Sequence, residues 1–341
     1  MYRRILTATV LVLVSVLTMA QSKVKRETCV YSIKGSDTLK IDAYLNSLIE
    51  PEQTGRPTLI YIHGGGFVTG SRINAAQETF CRYLAERGWL ALSVDYRLAG
   101  ISQNEDGSLR NPYHVSGTLE AIRLACEDIV DATGFVINRK DWKADSSKIC
   151  LGGGSAGAIT SLQVVYDACN REEYTQKLPK GFAYAGIVSQ AGCIGSSTDT
   201  LTWKTQPCPI MFFHGSEDIV VPLEKIKADW ADCHLMGTEY IARQLKQKGV
   251  PYWKFIEKGA DHVMAMKPLT TYLEEQYRFL SEVVLKGTGS TVETIWQDKE
   301  PAGMASVEMM LKHVPLYIMG FGKYLDELET IPAEKPKEIV Y

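Results

Sequence analysis

The stretch Leu151-Gly152-Gly153-Gly154-Ser155-Ala156-Gly157-Ala158 constrains the fold of this chain more than any other. A short apolar run, Ile149-Cys150-Leu151, leads into it, and a helical pattern over about 156–170 leads out. Passing from a buried strand into a helix within so few residues demands a tight turn. Only small neighbours let the strand end and the helix start approach each other that closely. Gly153-Gly154-Ser155-Ala156-Gly157 fits G-x-S-x-G in the strand–turn–helix setting that gives the motif its mechanical meaning. The serine hydroxyl is then exposed above the sheet edge, beside a helix N-terminus that favours negative charge. Ser155 is the candidate nucleophile. A glycine-rich turn with an incidental serine is the plainer alternative. A phosphate-binding loop would need a G-K-[ST] continuation, which is absent here.

Around this turn, short β-rich runs alternate with longer helical patterns. Leu59–Ile62, Leu90–Val94, Ile149–Leu151, Gly186–Ser189, Ile210–Phe213 and Tyr252–Ile256 read as strands. Ala75–Arg87, Val115–Ile137, Ala156–Asn170, Thr238–Lys248 and Leu269–Leu285 read as helices. The alternation predicts an α/β domain, with a mostly parallel central sheet and helices on both faces. Cys29–Ile33 and Lys40–Leu45 flank a turn at Gly35-Ser36-Asp37, which predicts an antiparallel N-terminal hairpin at one sheet edge. Gln190–Pro209 is short for a large cap, so a minimal cap is expected. Gly287-Thr288-Gly289-Ser290 reads as a linker. The expected organisation is a domain over 28–286 and a C-terminal extension over 287–341, with one helical stretch near Ser306–His313.

The first twenty residues stand apart. Arg3 and Arg4 precede an apolar stretch from Ile5 to Met19, and Thr18-Met19-Ala20 supplies small residues where a signal peptidase cuts. Residues 1–20 therefore read as a signal peptide of an exported protein, periplasmic or secreted, with no stable membrane span once it is removed. The alternative is an uncleaved anchor, for which the run is short against the ~20 residues of a full span. The 37 basic and 40 acidic side chains leave a formal charge of −3, which suggests no nucleic-acid partner. Eight cysteines in an oxidising compartment permit disulfides. Cys126 and Cys150 sit in apolar segments and read as buried hydrophobes. Cys193, Cys208 and Cys233 are the candidates for one bridge. No C-x-x-C pair or H-E-x-x-H suggests a metal.

A second motif strengthens the first. His63-Gly64-Gly65-Gly66-Phe67 follows the Leu59–Ile62 strand directly. Its glycines can turn backbone N–H groups into a cavity, as an oxyanion in acyl transfer requires. A serine hydroxyl needs a base, and the order Ser, acid, His puts that base late in the chain. Of the six histidines, His262 in Gly259-Ala260-Asp261-His262 lies just past the last predicted strand. His234 comes too early, His313 lies in the tail, and His63 and His214 read as braces of their own loops. The acid belongs after the penultimate strand, where His214-Gly215-Ser216-Glu217-Asp218 offers Asp218, with Glu217 its nearest rival. Asp218 would orient His262 and stabilise its imidazolium. Asp261 adjoins the base in sequence, but loop neighbours rarely face one another.

Together these residues resemble the esterase and lipase branch of the α/β-hydrolase superfamily, in particular its hormone-sensitive-lipase-like and bacterial feruloyl or acetyl esterase-like members. The resemblance spans about 39–285 and rests on His63 to Phe67, on Val94-Asp95-Tyr96-Arg97-Leu98, on the elbow at Ser155 and on His214 to Pro222. It implies the α/β-hydrolase fold and oxyanion-hole hydrogen bonds from Gly65, Gly66 and Ala156. Many relatives carry an acidic residue where this chain has Gly154. Many also carry Ala-Pro-Glu after Tyr-Arg-Leu, where this chain has Ala99-Gly100-Ile101. The expected activity is hydrolysis of short-acyl esters, with acetyl or feruloyl groups on carbohydrates among the candidate substrates, and with no cofactor. The alternatives are a lipase of longer acyl preference, a prolyl-oligopeptidase-like peptidase, and a catalytically dead binding protein. Only 21–62 separates the leader from the H-G-G-G loop, too little for the peptidase's usual upstream domain.

Overall fold

The computed structural model describes residues 23–100, 102–103, 109–110, 112–114, 116–228 and 233–297. The expected leader over 1–20, the tail helix near 306–313 and His313 lie outside the described residues. The strands in chain order are β1 (Val24–Lys34), β2 (Asp37–Asn46), β3 (Arg56–Ile62), β4 (Leu90–Val94), β5 (Ser102–Gln103), β6 (Leu109–Arg110), β7 (Ala144–Gly154), β8 (Gly186–Gln190), β9 (Cys193–Ser196), β10 (Ile210–Gly215), β11 (Lys225–Ala228), β12 (Cys233–Gly237), β13 (Tyr252–Glu257) and β14 (Val292–Trp296). The α-helices are α1 (Ala75–Ala85), α2 (Thr118–Asn138), α3 (Ala156–Asn170), α4 (Thr238–Gln247), α5 (Pro268–Thr271) and α6 (Leu273–Arg278).

Nine strands form one sheet in the order β1-β2-β4-β3-β7-β8-β10-β13-β14. The β1–β2 hairpin is antiparallel and turns at Gly35, whose φ of +61° suits glycine. β2 joins β4 antiparallel, and every later pairing is parallel. Strands covered on both faces read as continuous apolar runs, and β3 shows how one such run serves two cores. Ile60 and Ile62 pack into a cluster with α2, α3 and α4 residues such as Ile122, Leu162 and Ile241. Leu59 and Tyr61 face the opposite cluster, which holds Phe80 of α1 and Phe279. The sheet thus separates two large apolar layers.

Four expectations are revised. The sheet does not end before residue 286, because β14 adds a parallel edge strand beside β13. Its V-E-T-I-W alternation gives half-buried and exposed positions in turn, as an edge requires. The Gln190–Pro209 segment is not simply a loop, since β9 pairs with β12 and β12 with β11 in a small antiparallel sheet. The single helix expected over Leu269–Leu285 is broken at Tyr272 into α5 and α6, then continues as π-helical turns over Phe279–Leu285. The Gln276 side chain hydrogen-bonds the carbonyls of Pro268 and Tyr272 at that break. Finally, no disulfide joins Cys193, Cys208 and Cys233. Cys193 sits opposite Gly237, four residues along β12 from Cys233, so strand register holds the two apart.

Candidate active site

One residue separates β7 from α3. Ser155 takes φ +54° and ψ −123°, a conformation costly for a residue with a side chain. Hydrogen bonds on both sides hold it there: its N–H donates to Gln190 O at 2.9 Å, and its carbonyl accepts from Ile159 N at 2.9 Å. The neighbouring glycine at 157 is required by space, because a Cβ there would come within 2.0 Å of Ile62 O. Ser155 occupies the N-cap position of α3 but makes no side-chain cap. Its hydroxyl points instead to His262, whose Nε2 lies 2.8 Å from Oγ.

His262 opens a 3-10 turn, His262–Ala265, after β13. Asp261 caps that turn, its Oδ1 accepting the N–H of Val263 at 2.9 Å. Asp261 is thereby engaged with its own backbone, and Glu217 is exposed. Asp218 takes the position beside His262, whose Nδ1–H donates to its Oδ2 at 2.8 Å. The other oxygen, Oδ1, accepts from the N–H groups of Val220 and Val221, both at 2.9 Å. Burial alone would raise this carboxyl, but His262 and His214 outweigh it and hold Asp218 well below the usual carboxylate range. The structure thus brings Ser155, His262 and Asp218 into one hydrogen-bonded chain, with the His262 tautomer set by Asp218.

His214 and His63 act as braces. His214 is fully buried. Its Nε2 lies 3.0 Å from Val221 O and 3.4 Å from Asp218 Oδ2, while Nδ1 lies 2.9 Å from Thr238 Oγ1. A carbonyl only accepts, so Nε2 carries the proton and Nδ1 accepts from the threonine. His63 stacks on Tyr96 at 4.4 Å, and its Nδ1–H donates to Gly64 O at 2.7 Å. Burial lowers its pKa and favours the neutral ring. The Tyr96 hydroxyl donates to His63 O at 3.0 Å, tying the glycine loop to the neighbouring strand end. His234 lies on β12, away from this chain of contacts, and His114 is exposed.

Gly65 has φ +119°, and a Cβ there would meet Thr69 O at 2.1 Å. Its carbonyl accepts from Val68 and Thr69, which closes the turn. Among the described residues, the N–H groups of Gly65, Gly66 and Ala156 donate to no acceptor. Gly66 and Ala156 border the same cleft as Ser155. The walls of that cleft are apolar, formed by Phe67, Ile122, Ile159, Cys193, Val220 and Leu235, and the free space is about 30 Å³. Phe67 and Val220 belong to stretches already singled out in the sequence, whereas Ile122 of α2, Ile159 of α3 and Leu235 of β12 carry no local signal that marks them as cleft walls. Among the described residues, no group of His, Cys, Asp or Glu side chains could hold a metal ion.

The fold matches known proteins. A family described as having the alpha/beta hydrolase fold matches residues 59–103. Thermogutta terrifontis esterase 2, in its apo form, superposes with a TM-score of 0.55 at 20% identity, over 76% of this chain and 94% of that one. The hyperthermophilic esterase of Pyrobaculum calidifontis gives 0.51 at 19%, over 78% and 87%. The chain has the α/β-hydrolase fold. Curated relatives match less of it. Probable carboxylesterase 1 of Arabidopsis thaliana is 28% identical over 178 residues, 49% of each chain. The non-reducing polyketide synthase prhL of Penicillium brasilianum is 28% identical over 151 residues, 44% of this chain. The match spans about half the length of the plant carboxylesterase and 6% of the synthase.

Proposed function

We propose that this α/β-hydrolase-fold chain is a serine esterase that cleaves carboxylic esters in two acyl transfers. The observation that carries the reading is the hydrogen-bonded run from Ser155 Oγ through His262 to Asp218, set beside unspent backbone N–H groups. His262 Nε2 takes the hydroxyl proton as Ser155 Oγ bonds to the ester carbonyl carbon. The carbonyl oxygen becomes an oxyanion, held by the N–H groups of Gly65, Gly66 and Ala156. As the tetrahedral carbon collapses, the C–O bond to the alcohol breaks, and His262 returns its proton to the leaving oxygen. Water then adds to the acyl-serine, giving its proton to His262, and the acid departs as Ser155 recovers that proton. Likeness to carboxylesterases and esterases supports ester bonds over other acyl substrates.

The narrow apolar cleft supports a short acyl group, and the small β9-β11-β12 sheet is consistent with a bulky alcohol partner such as an acylated sugar. The leader over residues 1–20 supports export, which N-terminal sequencing of the protein made in cells would test. For the activity itself, we would follow hydrolysis of p-nitrophenyl esters from acetate to decanoate by the protein and by Ser155→Ala. The reading expects turnover greatest at short chains and lost in the variant. Equal turnover in both, or turnover only of aminoacyl-nitroanilides, would overturn it.

A further inference from the structure

Beneath the reacting groups lies a second polar assembly. The Tyr61 hydroxyl on β3 donates to Gln190 Oε1 at 2.8 Å. Gln190, at the end of β8, donates its Nε2–H to Gln276 Oε1 at 2.8 Å. Gln276 on α6 donates both Nε2 hydrogens, to Pro268 O at 2.7 Å and Tyr272 O at 3.0 Å. Gln190 and Gln276 are fully buried, and Tyr61 is 1% exposed. Polar groups sealed this completely, each satisfied by the next, hold one another in a single geometry.

This spine meets the site's elements at two points. The backbone oxygen of Gln190 accepts the Ser155 N–H and so fixes the elbow. Pro268 begins the short helix that follows the His262–Ala265 turn, and Tyr272 ends it. The turn also rests directly on the elbow. A Cβ added to Gly154 would fall 2.1 Å from Ala265 O and 3.4 Å from the Tyr61 hydroxyl oxygen. The space beside Gly154, just before the nucleophile, is occupied by the base's own turn.

We propose that Tyr61, Gln190 and Gln276 are positioning residues that set the Ser155–His262 hydrogen bond by clamping the elbow to the His262 turn. The kinetic part of this inference rests on the esterase reading, whereas its geometric part concerns the hydrogen-bonded chain itself. Two variants test it: Tyr61→Phe, which keeps the ring, and Gln276→Leu, which keeps the approximate volume. The measurements are kcat and KM on p-nitrophenyl acetate, the melting temperature, and the downfield proton resonance of His262 Nδ1–H, assigned by its loss in His262→Ala. Misplacement of a base by a fraction of an ångström costs rate rather than binding, so kcat should fall about tenfold to a hundredfold in Gln276→Leu. KM should stay nearly constant in both variants. Tyr61→Phe should show a smaller fall, and the resonance should broaden or move in each. If Gln276→Leu does not fold, Tyr61→Phe decides. Lower melting temperatures with wild-type kcat and an unmoved resonance would overturn the proposal. If the wild type cleaves no ester, the esterase reading fails, yet the resonance still decides: moved in Tyr61→Phe, it upholds the clamp; unmoved, it overturns it.

Discussion

On the elbow side of the site, backbone does the holding. Ser155 sits at φ +54° between two main-chain hydrogen bonds, and Gly65 sits at φ +119° with no room for a Cβ. On the His262 side, side chains share the holding with backbone. Asp218 is fixed by two N–H groups, His262 and His214, the His262 turn is capped by Asp261, and Gln276 holds the helix that follows it. The difference teaches what each half tolerates. A backbone-held group is intolerant of one added carbon. A group held by side chains weakens by degrees as partners are removed.

Four substitutions would break or sharpen that contrast. Ser155→Ala should cost the most, on the order of a millionfold in kcat. It should barely change the melting temperature, because the hydroxyl does not cap its own helix. Asp218→Asn comes next, with a loss of about ten-thousandfold in kcat, since an amide leaves His262 in the wrong tautomer. This variant also carries a pH signature. The folded Asp218 carboxyl lies below its ordinary value, so its stabilisation is present above the unfolded pKa and fades as pH falls. The melting-temperature gap between wild type and Asp218→Asn should therefore widen from about pH 2 to about pH 5.

Gly65→Ala tests the backbone-held half and should lower kcat by about a hundredfold to a thousandfold through a displaced oxyanion donor. A near-wild-type rate for this variant would break the comparison. The smallest effect belongs to Asp167 on α3, the helix that begins at the elbow. Burial raises its carboxyl to about 6, against the hydrogen bonds from Tyr174 and Gln163 that oppose the rise. A folded pKa raised above the unfolded one means that stability is lost as pH climbs through that window. Differential scanning fluorimetry at about pH 4 and about pH 7.5 should show wild type losing ground to Asp167→Asn by a few degrees.

The same contrast explains what could be read from the chain itself. The two glycine motifs were legible because a backbone demand leaves its mark at fixed local spacing, and Ser155, Gly65 and Gly66 lie within those motifs. Asp218 and His262 were reached through strand order, which places a carboxylate after β10 and a histidine after β13. The spine was not legible. Tyr61 reads as one more core aromatic, Gln190 as a strand end, and Gln276 as a polar residue of an amphipathic helix. Their partners lie 129 and 86 residues apart in sequence, so no local pattern joins them. β14 and β9 were missed for a milder reason: V-E-T-I-W and C-I-G-S hold no continuous apolar run of the kind that marks the buried strands.

The most direct test of the account is intact-protein and peptide mass spectrometry after exposure to a fluorophosphonate. The account predicts one adduct, on the peptide carrying Ser155, absent in Ser155→Ala and formed far more slowly in His262→Ala. An unmodified protein, or an adduct on any other residue, would contradict it.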